Sequence, residues 1–139
     1  MNQPSKLQWI LNDLYRRRSP DNIKLTLDRV KQLLLKLGSP EKNLENNSVI
    51  FLGSNAKYST LKWTQAILEG QGLTTNAFIS PHVSHVTERI EFQGKPITED
   101  EFIHYLTIVE KHADEDVTFF EILCAMAFLG FNEKKADIN

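Results

Sequence analysis

The chain has 139 residues, of which 41% are hydrophobic and 24% are charged, and its formal net charge is −2. This length and composition predict one globular domain and exclude a disordered polypeptide. The small net charge favours neither a nucleic-acid partner nor a membrane surface, and no apolar run approaches the ~20 residues that a membrane-spanning helix needs.

The first predicted element is an amphipathic helix over residues 5–17, where apolar residues recur at helical spacing: Leu7, Ile10, Leu11 and Leu14. Ser19-Pro20-Asp21 is expected to end it. The cations Arg16-Arg17-Arg18 suit the dipole of a docked surface helix, and a mitochondrial presequence is the alternative interpretation. Because the single Cys124 fits a reducing compartment, we expect a cytoplasmic protein, with mitochondria as the alternative.

A second helix is predicted from apolar residues at the same spacing: Ile23, Leu27, Val30, Leu34 and Leu37. Gly38 is expected to end this helix, with Pro40 shortly beyond it. Residues 1–40 are therefore predicted to form two N-terminal helices, and a polar loop follows over residues 39–47.

Residues 48–79 are predicted to form a strand–helix–strand unit with parallel strands and a right-handed crossover. The first strand, 48–52, is apolar, which is typical of a strand buried on both faces. The second strand spans 74–79. The helix over 58–70 is expected to turn three apolar residues inward: Leu61, Ile67 and Leu68.

The loop between the first strand and this helix has the layout of a phosphate-binding loop: Gly53-Ser54-Asn55-Ala56-Lys57-Tyr58-Ser59-Thr60. In such a loop the backbone N–H groups and the start of the helix hold anionic oxygens. The loop therefore predicts a nucleotide site in which Lys57 contacts the phosphates. A solvated lysine at a helix start is the alternative interpretation of Lys57.

Residues 80–97 are predicted to form a loop, Ser80-Pro81-His82, and then a hairpin from Glu88–Phe92 and Gly94-Lys95-Pro96. The loop follows the carboxyl end of a predicted strand, which is the edge of an α/β sheet where ligands bind. An ordinary Ser-Pro turn is the alternative there. His82 and His85 have metal-ligand spacing, but no further residue completes a zinc motif, so no zinc site is predicted.

Two more helices are predicted over residues 98–131, each opened by a capping box, Thr98-x-x-Glu101 and Thr118-x-x-Glu121. The second is apolar on nearly all sides, which is typical of a buried helix, and Cys124 is expected to be one of its small core residues. Residues 136–139 fit the start of a third strand.

Four stretches, in order along the chain, resemble motifs of the folylpolyglutamate synthase/dihydrofolate synthase family of the Mur ligase superfamily. The second predicted helix resembles the family's opening helix, and Gly53 to Thr60 aligns with its loop GTNGKGST. Ile79-Ser80-Pro81-His82 and Thr87-Glu88-Arg89-Ile90 resemble TSPH and NERI, and Thr118-Phe119-Phe120-Glu121 resembles TFFE. The resemblance implies an α/β fold: a truncated P-loop (Mur ligase-like) parallel-sheet domain over residues 1–139, with two preceding N-terminal helices.

The same resemblance implies an ATP-dependent ligase that phosphorylates a folate or pteroate carboxylate and joins it to the amino group of glutamate. It places Lys57 on the phosphates, Ser59 at the loop hydroxyl position and Ser80 as a magnesium ligand. His82 would lie near the folate entrance. ATP and Mg²⁺ are therefore the cofactors expected if the family activity is retained.

Two departures from the family pattern predict that this chain alone is catalytically inactive. Ala56 and Tyr58 replace loop glycines; an alanine at positive φ costs roughly 1–2 kcal/mol, and the Tyr58 ring stands where the family has no side chain. Family members are also much longer, and their metal-binding glutamate in an EVGxGG motif and their C-terminal domain have no counterpart in these 139 residues.

Two functions follow: the inactive N-terminal portion of a folate ligase or, alternatively, a non-catalytic structural or assembly subunit of a larger complex. The predicted parallel sheet is short of strands, and the apolar helix 119–131 has little sheet to cover. We therefore expect a homo-oligomer, or a protein partner that covers the incomplete sheet.

Overall fold

The computed structural model of the protein describes residues 5–18 and 26–139. The chain divides into two compact units, one from Met1–Ser39 and Glu99–Met126 and the other from Pro40–Thr98 and Ala127–Asn139. The α-helices are α1 (Lys6–Arg17), α2 (Asp28–Lys36), α3 (Lys57–Gly70), α4 (Glu99–Glu110) and α5 (Phe119–Glu133). The strands are β1 (Ala77–Phe78), β2 (Ile90–Phe92) and β3 (Lys95–Pro96), and short 3-10 helices span Pro40–Leu44 and Val86–Arg89. None of the helices in the described ranges is long and apolar enough to cross a membrane.

The first unit contains the predicted N-terminal helices. Ser5 caps α1 by accepting a hydrogen bond from the backbone N–H of Gln8, and Leu7, Leu11 and Leu14 are buried. The predicted break at Ser19-Pro20-Asp21 and the predicted helical residue Ile23 lie outside the described residues. The helix α2 ends as expected, because Gly38 takes a left-handed φ of 85°. The start of α5 confirms the second capping box, since Thr118 N–H donates to Glu121 Oε2 (2.8 Å) and Glu121 N–H donates to Thr118 Oγ1 (3.3 Å).

The turn before α5 also anchors the last cation of α1. The Arg18 side chain is buried, and its guanidinium donates hydrogen bonds to the carbonyl oxygens of Asp114 (2.9 Å) and Val117 (2.6 Å). Burial lowers the pKa of Arg18, although the nearby Glu110 carboxylate opposes this effect. The carboxyl-terminal end of α1 is therefore docked, through Arg18, against the turn before α5.

The second unit holds a small antiparallel sheet in the order β1-β2-β3. Ala77 pairs with Glu91 across β1 and β2, and Phe92 pairs with Lys95 across β2 and β3. The predicted hairpin is therefore confirmed. The predicted strand 74–79 is shorter than expected, and it joins the sheet in antiparallel rather than parallel orientation.

The predicted strand 48–52 is not formed as a strand within the described ranges. These residues have no strand ladder, and Ile50 and Leu52 are 79% and 88% exposed. Backbone pairing reaches only the start of this segment, where the Val49 N–H donates to the Asn139 carbonyl (2.9 Å). A run of apolar side chains forms a buried strand only when backbone partners and covering helices are present along it. On their other side the last residues of the chain form a parallel bridge, Thr75 with Ile138, which is where the sequence predicts a third strand to start.

Two expectations about helix faces also change. Ile67 is 60% exposed, because at 100° per residue it lies about 120° from Leu61, whereas Gln65 follows Leu61 by one turn and is buried. In α5, Ile122, Leu123 and Met126 are fully buried, as predicted for an apolar helix. Among the described residues, the segment 49–52 is one of several places where apolar side chains are exposed, whereas α5 is mostly buried apart from residues such as Phe120.

Candidate functional site

The loop from Gly53 to Thr60 leads directly into α3, as the sequence predicts. Ala56 is the N-cap residue and has a left-handed backbone, with φ 61° and ψ 4°. Gly53 also has a positive φ, 153°. An alanine in this conformation is strained relative to glycine, so the fold retains a turn that favours glycine at a position where the sequence has none.

The loop presents backbone donors at the start of α3. Among the described residues, the first backbone N–H after Val49 to form a backbone hydrogen bond is that of Thr60, which donates to the Ala56 carbonyl. The N–H groups of residues 54–59 are thus without backbone acceptors. For residues 56–59 this is expected, since they form the N-cap and first turn of α3. Such a row of donors, together with the positive end of the helix dipole, can hold phosphate oxygens.

Lys57 is the cation of this loop. Its ammonium group donates a hydrogen bond of 2.6 Å to the carbonyl oxygen of Gly53, so the side chain folds back over the loop. The side chains of Ser59 and Thr60 are exposed, and Tyr58 is 53% exposed. About half of the Tyr58 side chain is therefore in contact with solvent. Lys57 and the hydroxyl groups of Ser59 and Thr60 are accessible to an anion at the loop.

A second cluster lies between β1 and β2, and it joins Ser80, His82 and Arg89. The Nε–H of Arg89 donates to Nδ1 of His82 (2.8 Å), and its terminal nitrogen donates weakly to Oγ of Ser80 (3.4 Å). Because a guanidinium can only donate, Nδ1 must accept, and the imidazole is neutral with its proton on Nε2. Burial and then the positive charge of Arg89 lower the pKa of His82 below its usual 6.5.

Glu88 organises the loop around His82. Its carboxylate accepts hydrogen bonds from the backbone N–H groups of Val83 (2.9 Å), Ser84 (3.3 Å) and His85 (3.0 Å). These bonds, with that from Val83 the strongest influence, lower the pKa of Glu88. The sequence indicates that Glu88 and Arg89 form local structural contacts, but it does not identify their partners.

The cluster around Ser80 does not fit a magnesium ion by itself. Within the described ranges, no group of three or more His, Cys, Asp and Glu side chains is arranged to hold a metal ion. The partner found at the Ser80 hydroxyl is a guanidinium, whose positive charge opposes a bound cation.

Sequence reasoning did not identify a polar cleft elsewhere in the second unit. Its volume is ≈ 450 Å³, and its lining includes four asparagines, Asn43, Asn47, Asn132 and Asn139. Two of these lining residues each have a buried side-chain atom without a hydrogen-bond partner, Oδ1 of Asn47 and Nδ2 of Asn139. Since these residues are far apart in sequence and form no motif, only the folded chain reveals the cleft.

No protein-family profile matches the chain. Among characterised proteins, it is similar to the dihydrofolate synthase/folylpolyglutamate synthase of Bacillus subtilis (strain 168), with 35% identity over 118 residues. The match covers 80% of this chain and 27% of the Bacillus protein, so the chain spans just over a quarter of that relative's length.

Solved structures give the same result. The bifunctional folylpolyglutamate synthase/dihydrofolate synthase of Yersinia pestis is similar over 99% of this chain and 34% of its own, with a TM-score of 0.83 and 30% identity. The folylpolyglutamate synthase of Mycobacterium tuberculosis, complexed with ADP, is similar over 95% of this chain and 30% of its own, with a TM-score of 0.82 and 28% identity. A further structure of the Yersinia enzyme contains AMPPNP and a manganese ion.

The relatives of this chain in sequence and in structure are thus folylpolyglutamate synthases and dihydrofolate synthases of the Mur ligase family, and its fold corresponds to their N-terminal Mur ligase domain.

Proposed function

We propose that this chain is the nucleotide-binding part of a folate ligase and that its 139 residues do not carry out the ligation alone. In the proposed reaction, ATP transfers its terminal phosphoryl group to a carboxylate of folate or dihydropteroate. The amino group of glutamate then displaces phosphate, and an amide forms. The observation that carries the proposal is the loop from Gly53 to Thr60, which offers backbone donors and Lys57 in a chain related to these ligases.

The loop supports phosphate binding through local chemistry. The N–H groups of residues 54–59 are donors for phosphate oxygens, and Lys57 needs only to exchange the Gly53 carbonyl for a phosphate oxygen. The new contact joins opposite charges, which makes it stronger than the neutral acceptor that it replaces. The Nε2–H of His82 is a neutral donor that suits a carboxylate or carbonyl oxygen of a substrate.

The surroundings of Ser80 support inactivity of the isolated chain. Phosphoryl transfer needs divalent cations to neutralise developing charge, and the Ser80 hydroxyl has a guanidinium as its neighbour. The related enzymes are several times longer than the part that matches this chain, so most of their length contributes residues that these 139 do not include. ATP and a divalent cation are therefore proposed as ligands of a completed site.

The second candidate function, a structural or assembly subunit, is favoured by the exposed apolar segment. Val49, Ile50 and Leu52 are all more than half exposed, and soluble monomers seldom leave such a run uncovered. A homo-oligomer or a protein partner would cover it. A monodisperse monomer at high protein concentration in solution scattering would exclude the homo-oligomer.

Calorimetric titration with magnesium-ATP tests the nucleotide site. Binding by the wild type that is lost in Lys57→Ala, but kept in the exposed control Lys95→Ala, would assign the site to the loop. Binding only in the double variant Ala56→Gly/Tyr58→Gly would show that the replaced glycines silence the loop. Absence of binding in all variants would exclude a nucleotide site in this chain.

A ligase assay tests inactivity separately. Wild-type protein is incubated with magnesium-ATP, glutamate and dihydropteroate or folate, and ADP and the amide product are measured. We expect neither product above a no-enzyme background. Turnover that Lys57→Ala abolishes would contradict the proposed inactivity while supporting the nucleotide site.

A further inference from the structure

The helix α3 meets the sheet with a polar face. Among its residues, all of which the structure describes, the buried one is Gln65, whereas the large apolar side chains of Trp63 and Ile67 are mostly exposed. Lys62, Gln65 and Glu69 follow one another at spacings of three and four residues, so they share one face of the helix. Burial of apolar side chains therefore fixes α3 only weakly, and this polar face supplies the directional contacts.

The polar face of α3 surrounds a buried carboxylate of β2. The Lys62 ammonium donates to both carboxylate oxygens of Glu91, over 2.5 Å and 2.6 Å. The Gln65 side-chain amide donates to one of them, Oε2, over 3.1 Å. Lys62 also donates to Oε1 of Gln65 (2.9 Å), so the three side chains form a closed set in which each contacts the other two.

The network continues towards the carboxyl end of α3. The Gln65 amide donates a second hydrogen bond to Oγ1 of Thr75 (2.9 Å), and the Thr75 hydroxyl donates to Oε1 of Glu69 (2.5 Å). The Glu69 carboxylate lies against Gly94 in the β2–β3 turn, where a Cβ atom would come within 2.7 Å of Oε1. The polar contacts thus extend along the helix from Lys62 to Glu69.

The donors and acceptors of this network fit together in one arrangement. Rotating the Gln65 amide by half a turn would place its oxygen against the Glu91 carboxylate and its NH₂ group against the Lys62 ammonium, and both contacts would be repulsive. The single hydroxyl proton of Thr75 is used on Glu69, so Thr75 can only accept from Gln65. Apolar contacts are non-directional, whereas these hydrogen bonds are satisfied only when α3 has one direction on the sheet.

The network lies between the two clusters of the candidate site. Lys62 follows Lys57 by five positions, in the second turn of the helix that the loop 53–60 begins. Glu91 follows Arg89 by two positions, and Arg89 holds the His82 ring. A change in the tilt of α3 would therefore move the backbone donors of the loop relative to His82.

We propose that Lys62, Gln65 and Glu91 are positioning residues, which fix the direction of α3 on the sheet and thereby the direction of the loop's backbone donors. They act through the helix rather than by contact with a ligand. The consequence for nucleotide affinity rests on the proposed nucleotide site, whereas the direction of α3 does not. A buried ion pair often adds little stability over apolar residues of the same size, which allows geometry and stability to be separated by substitution.

Residual dipolar couplings of the backbone amides, measured by NMR without ligand, test the direction of α3. The apolar variant Lys62→Met/Gln65→Leu/Glu91→Leu replaces the network with side chains of similar size and should remain folded. We expect its α3 axis to turn by at least about 10° relative to β1 and β2. An α3 direction equal to that of the wild type would overturn the proposal.

Two control variants separate positioning from a general loss of charge. Lys62→Arg keeps a cation and its donors, so the direction of α3 should stay as in the wild type. Arg29→Met/Glu121→Gln removes a partly buried ion pair of the first unit and should also leave α3 unchanged within the second unit. If the apolar variant does not fold, Gln65→Leu, which keeps the ion pair, is measured in the same way.

Calorimetric titration with magnesium-ATP tests the consequence for the loop. The apolar variant should bind about tenfold more weakly than the wild type, since its donors are no longer preorganised, and Lys62→Arg should bind as the wild type does. Equal affinities of the apolar variant and the wild type would overturn the link between the network and the loop. Absence of binding in the wild type would contradict the proposed nucleotide site, and the dipolar couplings would still decide whether the network directs α3.

Discussion

The Nε–H of Arg89 donates a hydrogen bond to Nδ1 of His82 over 2.8 Å, and this contact keeps the imidazole neutral with its proton on Nε2. Replacing Arg89 with glutamine is expected to raise the pKa of His82, because a positive charge beside the ring is removed. Burial, which is the larger cause of the lowered pKa, remains, so the pKa should stay below 6.5. Titration of the His82 ring by NMR measures both values.

The control for this substitution is Lys95→Gln, which removes one positive charge from an exposed site of the same unit. It should leave the His82 pKa unchanged. An equal pKa in Arg89→Gln and the wild type would contradict the assigned contact. The ring ¹⁵N shifts give a second check, because they distinguish the Nε2–H form from the Nδ1–H form.

His82 also predicts a pH dependence of stability. Its pKa is lowered in the folded protein, so near the usual value of 6.5 the folded state binds fewer protons than the unfolded state. The stability that His82 contributes is therefore present above that value and is lost as the pH falls towards the folded pKa. Urea unfolding at about pH 7.5 and about pH 5.5 should show a smaller loss in His82→Gln than in the wild type.

The capping box of α5 predicts a local stability effect. Thr118→Ala removes the side-chain acceptor for the Glu121 N–H and should lower the free energy of unfolding by about 1 kcal/mol. Thr107→Ala is the matched control, since Thr107 lies inside α4 and alanine is the better helix former there. Equal losses in the two variants, measured by urea unfolding, would exclude a capping role for Thr118.

Glu121 is expected to make the stability of the protein depend on pH in the acid range. Burial raises the pKa of Glu121, but hydrogen bonds from Thr118 and Arg29 outweigh it and leave the pKa below the usual 4.5. The corresponding stability is present above 4.5 and is lost as the pH falls through the folded pKa. Glu121→Gln should be less stable than the wild type near neutral pH, and the difference should shrink in acid. A difference that is constant with pH would contradict this.

The ion pair between Lys62 and Glu91 predicts a larger effect. The Lys62 ammonium lies 2.5 Å from Glu91 Oε1, and Glu91 is only 4% exposed. Lys62→Met leaves this buried carboxylate without its cation and should cost about 3 kcal/mol of unfolding free energy. The double variant Lys62→Met/Glu91→Gln should recover part of the loss, whereas Lys95→Met, at an exposed site, should cost little. A double variant less stable than Lys62→Met would contradict the pairing.

A substitution to glycine usually lowers the stability of a helix, but at the strained loop residue Ala56 it is expected to raise the stability of the protein. Because Ala56 has φ 61°, Ala56→Gly should raise the free energy of unfolding by about 1 kcal/mol. Ala66→Gly, at an exposed position inside α3, should lower it by a similar amount. Thermal and urea unfolding of the pair measure the contrast, and destabilisation by both substitutions would contradict the left-handed turn.

Local rules predicted much of this fold because their partners are close in sequence. The capping box of α5, the end of α2 at Gly38 and the β2–β3 hairpin all depend on groups a few residues apart. The phosphate-loop layout is equally local, and Lys57 contacts Gly53 only four positions away.

By itself, the sequence determined the helices, their caps, the loop layout and the family resemblance, since each depends on neighbouring residues or on motif order. Only the tertiary structure decided that residues 48–52 form no strand, that Arg89 holds His82, and that residues 137–139 lie between 47–49 and 74–76. The physical reason is that backbone pairing and burial need partners that the fold supplies. An apolar run such as Val49–Leu52 has the pattern of a buried strand whether or not those partners are present.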